Sequence, residues 1–124
     1  MPLTVLLYVA SGLCAIWGVA HLFATRGVVS GFGEISIDNK RVITMEWVVE
    51  GIALISIGAF VATATWTDAA SLVSGRVYAV AILALLALAL VSLLTGFKIA
   101  FLPYRLCPFI FGLSALLILV GGLL

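Results

Sequence analysis

The chain has 124 residues, 65% of them hydrophobic and only 9% charged, and its mean hydropathy is +1.40. A soluble domain is about 45–50% apolar and about 25% charged, so this composition excludes an ordinary soluble domain and indicates an integral membrane protein. The formal net charge is +1 and there is no basic run, which leaves nothing for a nucleic acid to bind.

A membrane helix needs roughly 20 consecutive apolar residues. Residues 3–24 are the first such run. No Lys or Arg precedes Arg26, and the run exceeds the 7–15 residues typical of a signal-peptide core, so it is expected to be a membrane span. Three more runs follow, at residues 43–66, 77–97 and 106–124. Backbone groups in hydrocarbon must pair within their own segment, so the expected fold is an all-α, four-helix membrane bundle in a single domain.

Between the first two spans lies TRGVVSGFGEISIDNKR, read as an ordered loop over about residues 25–42. Connections in bundles usually take about 2–8 residues, so this one is long. Val28, Val29, Phe32, Ile35 and Ile37 make it more than a solvated tether, and it is expected to pack on the mouth of the bundle as a plain connector or as a lid. EISID alternates apolar and polar residues as a short strand would, and Asp38 is placed to cap the second helix.

The charges fix an expected orientation. Arg26, Lys40 and Arg41 lie in the first loop, and Lys98 and Arg105 lie in the loop over 98–105. The opposite side carries Arg76 alone among the basic residues. By the positive-inside rule the two basic loops face the cytoplasm and both termini face outward. The same asymmetry argues against dual topology.

ITMEWVVEGIAL, Ile43 to Leu54, carries the sharpest signal. Glu46 and Glu50 stand one turn apart near the start of the second span, so they share a face. His21 lies five residues before Arg26, as Glu46 lies five after Arg41, and His21 is therefore expected to pair with Glu46. Glu50 is expected one turn deeper, level with Trp17 and Gly18. An ionisable group in a span is costly and marks a functional site by default. Two carboxylates at this spacing repel, and such a pair titrates as a unit.

Trp17 and Trp47 flank the cluster, either as the walls of a pocket or as interfacial belt aromatics. His21, Glu46, Glu50, Trp17 and Trp47 are thus the candidate ligand- and proton-binding residues. No cofactor is expected. A divalent metal on His21, Glu46 and Glu50 is the least favoured use, because His21 is the only histidine. Cys14 and Cys107 lie at different depths and read as small buried side chains. Cys14 with Gly18, Gly58 with Ala62, and Ser92 with Gly96 and Ala100 are small residues suited to helix contacts. The third and fourth helices read as packing and lipid-facing elements.

GLCAIWGVAHLFATRGVVSGF, Gly12 to Phe32, resembles the first helix and following loop of small DoxX-like bacterial membrane proteins. The resemblance covers roughly a fifth of the chain. It implies a four-helix protein of the bacterial inner membrane and no particular chemistry. Small multidrug exporters carry their membrane glutamate in helix one, where this chain has no acid.

Three function classes follow. The first is a small membrane protein that binds or transports a cation, an amine or a lipid-like ligand at the His/Glu cluster. The second is an accessory subunit of a larger membrane complex, and a metal-dependent membrane enzyme ranks last. A chain this short has little room for a private pore, so a transporter would be expected to work as a homo-oligomer.

Overall fold

The computed structural model describes residues 3–124. Four helices follow one another: α1 (Thr4–Gly31), α2 (Ile37–Asp68), α3 (Leu72–Leu94) and α4 (Leu102–Gly122). A single 3-10 turn, Gly96–Lys98, separates the last two, and no strand occurs among the described residues. Each helix is long and apolar enough to cross a membrane. Phe23, Phe60, Trp66, Leu83 and Phe109 point outward, well exposed. Water would not tolerate such an exterior, whereas hydrocarbon suits it. Each helix packs on its chain neighbours, and α4 closes the ring on α1, giving an up-down-up-down square.

The interior of the ring follows from the sequence of α1. Leu7, Ser11, Cys14, Gly18, His21 and Thr25 recur every three or four residues and form its buried stripe. Small residues on this stripe let the backbones of α1 and α2 touch. A Cβ on Gly18 would lie 2.6 Å from the Gly51 carbonyl oxygen, and one on Gly58 would lie 2.6 Å from that of Ser11. These two contacts set the antiparallel register of the α1–α2 hairpin. The hydroxyls of Ser11 and Thr25 donate to carbonyls four residues back, so they bring no unpaired donor into the interior.

At the other seam the helices are pinned at one end. The Thr65 and Tyr78 hydroxyls share a hydrogen bond of 3.0 Å, and the Ser74 hydroxyl lies 2.6 Å from the Asp68 carbonyl oxygen. From this end α2 and α3 diverge, and α3 reaches the basic end of the bundle beside a cleft rather than against α2.

The expected loop over 25–42 shrinks to Phe32–Ser36. Helix α1 runs on through TRGVVSG and stops where Gly33 takes φ +70°, a left-handed conformation that suits glycine. Helix α2 starts earlier than expected. Its cap is Ser36, whose hydroxyl accepts from the Asn39 amide at 3.1 Å, and not Asp38. The alternation in EISID therefore belongs to a turn and a helix start, not to a strand. Polarity here marks where the helices leave the apolar zone, not where they end. Helix α4 also begins four residues early, with Pro103 in its first turn, where no amide donor is needed.

The far ends are level, with Gly121 against Leu3 and Ser74 against Asp68. Helix α1 has 28 residues against 21 in α4, and α2 has 32 against 23 in α3. At about 1.5 Å per residue the α1–α2 hairpin therefore extends roughly 10–14 Å beyond α3 and α4 at the basic end. The shorter pair matches a hydrocarbon core of about 30 Å.

Candidate functional site

His21 sits one turn from the Gly18–Gly51 contact and is 5% exposed. Its Nδ1 lies 2.9 Å from the Trp17 carbonyl oxygen, one turn back on the same helix. Its Nε2 lies 3.6 Å from Glu50 Oε1, an ion-pair distance. One face of the ring stacks on Trp47, with centroids 4.8 Å apart and planes inclined by 26°. The Trp17 ring meets it edge-on at 6.2 Å. Tyr104 of α4 then packs edge-on against Trp47 at 5.6 Å, and Phe101 packs on Tyr104.

Register and side-chain direction together explain the pairing. Gly18 meets Gly51 and Ser11 meets Gly58, so His21 lies level with Val48, midway between the two glutamates. Helical side chains lean towards their own N-terminus, so in this antiparallel pair His21 and Glu50 lean towards each other and Glu46 leans away. Counting from Arg26 and Arg41, as the sequence invites, misplaces the register by about two residues. The expected His21–Glu46 pair is therefore not formed. Glu46 is exposed on α2 and lines neither cavity beside His21. Among the described residues no three His, Cys, Asp or Glu side chains converge as metal ligands, so the set His21, Glu46 and Glu50 is not assembled within the chain.

Both neighbours of the imidazole are acceptors. The Trp17 carbonyl can only accept, so Nδ1 carries a hydrogen. A neutral ring would then turn the Nε2 lone pair towards the Glu50 carboxylate. The other tautomer moves the same conflict to the carbonyl. A proton on Nε2 or on the carboxyl group would give the second contact a donor, although its 3.6 Å is an ion-pair distance, longer than a hydrogen bond.

Glu50 is the accessible member, with its side chain 37% exposed against 6% for His21. It opens on a cleft of about 310 Å³ between α2 and α3. Ser92, Thr95 and Gly96 line the α3 side, and Tyr104 and Cys107 line the α4 side. Behind the Trp47–Tyr104 wall is a second, apolar cavity of about 250 Å³, whose lining includes Trp17, Ala24, Val28 and Phe101. Trp17 and Trp47 are therefore walls of cavities rather than belt residues alone. The Trp17 indole N–H is buried without an oxygen or nitrogen acceptor, and its polar neighbour is the Cys107 thiol. Cys14 and Cys107 are both free and buried.

The sequence reading missed the contribution of α3 and α4. Ser92 and Gly96 stood out as a small-residue stripe, but they border the cleft. Pro108 was a further signal. It has no N–H to give the Tyr104 carbonyl one turn back, and that oxygen lies next to Gly96 on the cleft wall. The cleft thus combines a carboxylate with aromatic rings. That combination suits a positively charged group with apolar substituents.

No protein-family model matches the chain, and neither a curated protein nor a solved structure matches it.

Proposed function

We propose that this chain binds a small amphipathic organic cation, reached from the lipid phase, and exchanges it for a proton held by His21 and Glu50. The observation that carries this reading is the His21 Nε2–Glu50 Oε1 contact at 3.6 Å on the floor of a cleft open between α2 and α3. A carboxylate beside aromatic rings recognises an organic cation. The lateral opening and the apolar cavity behind Trp47 suit a ligand with a hydrocarbon part.

Charge balance supports exchange. The imidazolium–carboxylate pair is neutral overall. A monocation on Glu50 with a neutral His21 is also neutral, so a swap of one for the other leaves no net charge in a low-dielectric site. The setting we propose is a bacterial inner membrane, with termini outside, the basic end cytoplasmic, and the chain assembled as a homo-oligomer. The five basic residues at one end against one at the other support that orientation.

Native mass spectrometry after extraction in a mild detergent tests the reading. The expected spectrum shows only copies of this chain, carrying a small retained ligand that is lost in Glu50→Gln. A stoichiometric foreign chain with no retained ligand would assign the protein to the accessory-subunit class instead.

A further inference from the structure

The projecting part of the α1–α2 hairpin carries a second arrangement, separate from the cleft. Arg26 of α1 and Lys40 of α2 face one groove of about 450 Å³. Neither cation is paired with a carboxylate among the described residues; Arg41 alone in this region has one, Asp38, at 3.4 Å. The floor of the groove is apolar, built from Leu22, Val29 and Val48. Lys40 also borders an adjoining groove on the outer side of α2, with Arg41 and Met45. Thr25, Ser30 and Thr44 border the first groove, but their hydroxyl hydrogens are already given to backbone carbonyls. The cations therefore provide the polar recognition.

We infer that this groove binds an anionic phospholipid, its phosphate between Arg26 and Lys40 and an acyl chain along Leu22, Val29 and Val48. Two features favour a lipid over soluble phosphate. The cations lie just beyond the ends of the shorter helices, at headgroup depth, and the surface leading down from them is apolar. A free phosphate would leave that surface uncovered. Glu34, Asp38 and Glu46 are the acids of this region, and none of them lines either groove. Basic grooves between membrane helices recognise headgroups in this way.

The test is native mass spectrometry of the full chain in mixed micelles holding equal amounts of phosphatidylglycerol and phosphatidylcholine. Wild type is expected to retain phosphatidylglycerol in preference, on the order of tenfold for two cations. The Arg26→Gln/Lys40→Gln double variant is expected to lose the preference while keeping its helical circular dichroism. If that variant does not fold, Lys40→Gln alone is expected to lose part of it. Equal retention of the two lipids by wild type, or an unchanged preference in the folded variants, overturns the inference. Displacement of the lipid by millimolar inorganic phosphate would reassign the groove to a soluble anion and overturn it as well.

Discussion

Glu50→Gln is expected to weaken binding of a quaternary ammonium amphiphile such as decyltrimethylammonium by about 5- to 150-fold, the loss of one ionic contact worth about 1–3 kcal/mol at a distance of about 5 Å in a half-open cleft. The substitution keeps the shape of the side chain and removes the charge. The new amide can donate to His21 Nε2, so the imidazole stays satisfied as a neutral ring with its Nδ1 hydrogen on the Trp17 carbonyl. The fold is therefore expected to survive. Glu46→Gln is the matched control. It removes the same charge one turn away, from an exposed position outside both cavities, and should change binding by less than about twofold. Equilibrium binding of the amphiphile to protein in lipid nanodiscs checks both. Equal effects of the two substitutions would mean that surface charge, not the cleft, attracts the cation.

The second large effect concerns the hairpin that aligns the pair. Gly18→Ala and Gly58→Ala each place a methyl group 2.6 Å from a backbone oxygen of the facing helix, at Gly51 and Ser11 respectively. At Gly18 the Ile55 side chain is also within 2.8 Å. A backbone oxygen has no rotamer by which to move away, so the helices must separate. Overpacking of this kind typically costs about 1–3 kcal/mol. Gly12→Ala tests the specificity of the argument, because no atom lies within 4 Å of its added methyl group, and no loss is expected there. Unfolding in a detergent titration measures all three. Gly18→Ala should also weaken amphiphile binding, since His21 is one turn from this contact and Glu50 is next to Gly51. A loss at Gly12 equal to that at Gly18 would show that helix flexibility, not close approach, explains the glycines.

The four helices were legible in composition because hydrocarbon leaves the backbone one option at these lengths. Their ends were less legible. TRGVVSG looks like loop because of its glycines and IDNKR because it is polar. A helix emerging from the apolar zone keeps its hydrogen bonds while its side chains turn polar, so only Gly33 and Ser36 mark the true boundary.

The site was legible in part for the same reason. Acids within an apolar run announce themselves, and the small stripe of α1 leads to His21. Which acid faces His21 depends on a register fixed by Gly18, Gly51 and Gly58, which sets His21 midway between the two glutamates, and on the lean of helical side chains towards the N-terminus, which selects Glu50. The walls from α3 and α4 were hidden because Ser92, Gly96 and Tyr104 acquire their role only through the divergence of α2 from α3. The Gly12–Phe32 resemblance to DoxX-like proteins covers neither glutamate.

The central claim is that one proton is exchanged for one cation at His21 and Glu50. Besides these two, the titratable groups around the cleft are Tyr104 and Cys107 from α4, with Ser92 of α3, Thr95 just past its end and Trp47 of α2 facing them. None of these others needs to change charge for the exchange. Isothermal titration with decyltrimethylammonium, repeated in buffers of different ionisation enthalpy, counts the protons directly. A quaternary ammonium has no proton to lose, so any proton that appears comes from the protein. The expected result is close to one proton released per cation bound, and none in Glu50→Gln. Binding at Glu50 with no proton released in wild type would contradict the account.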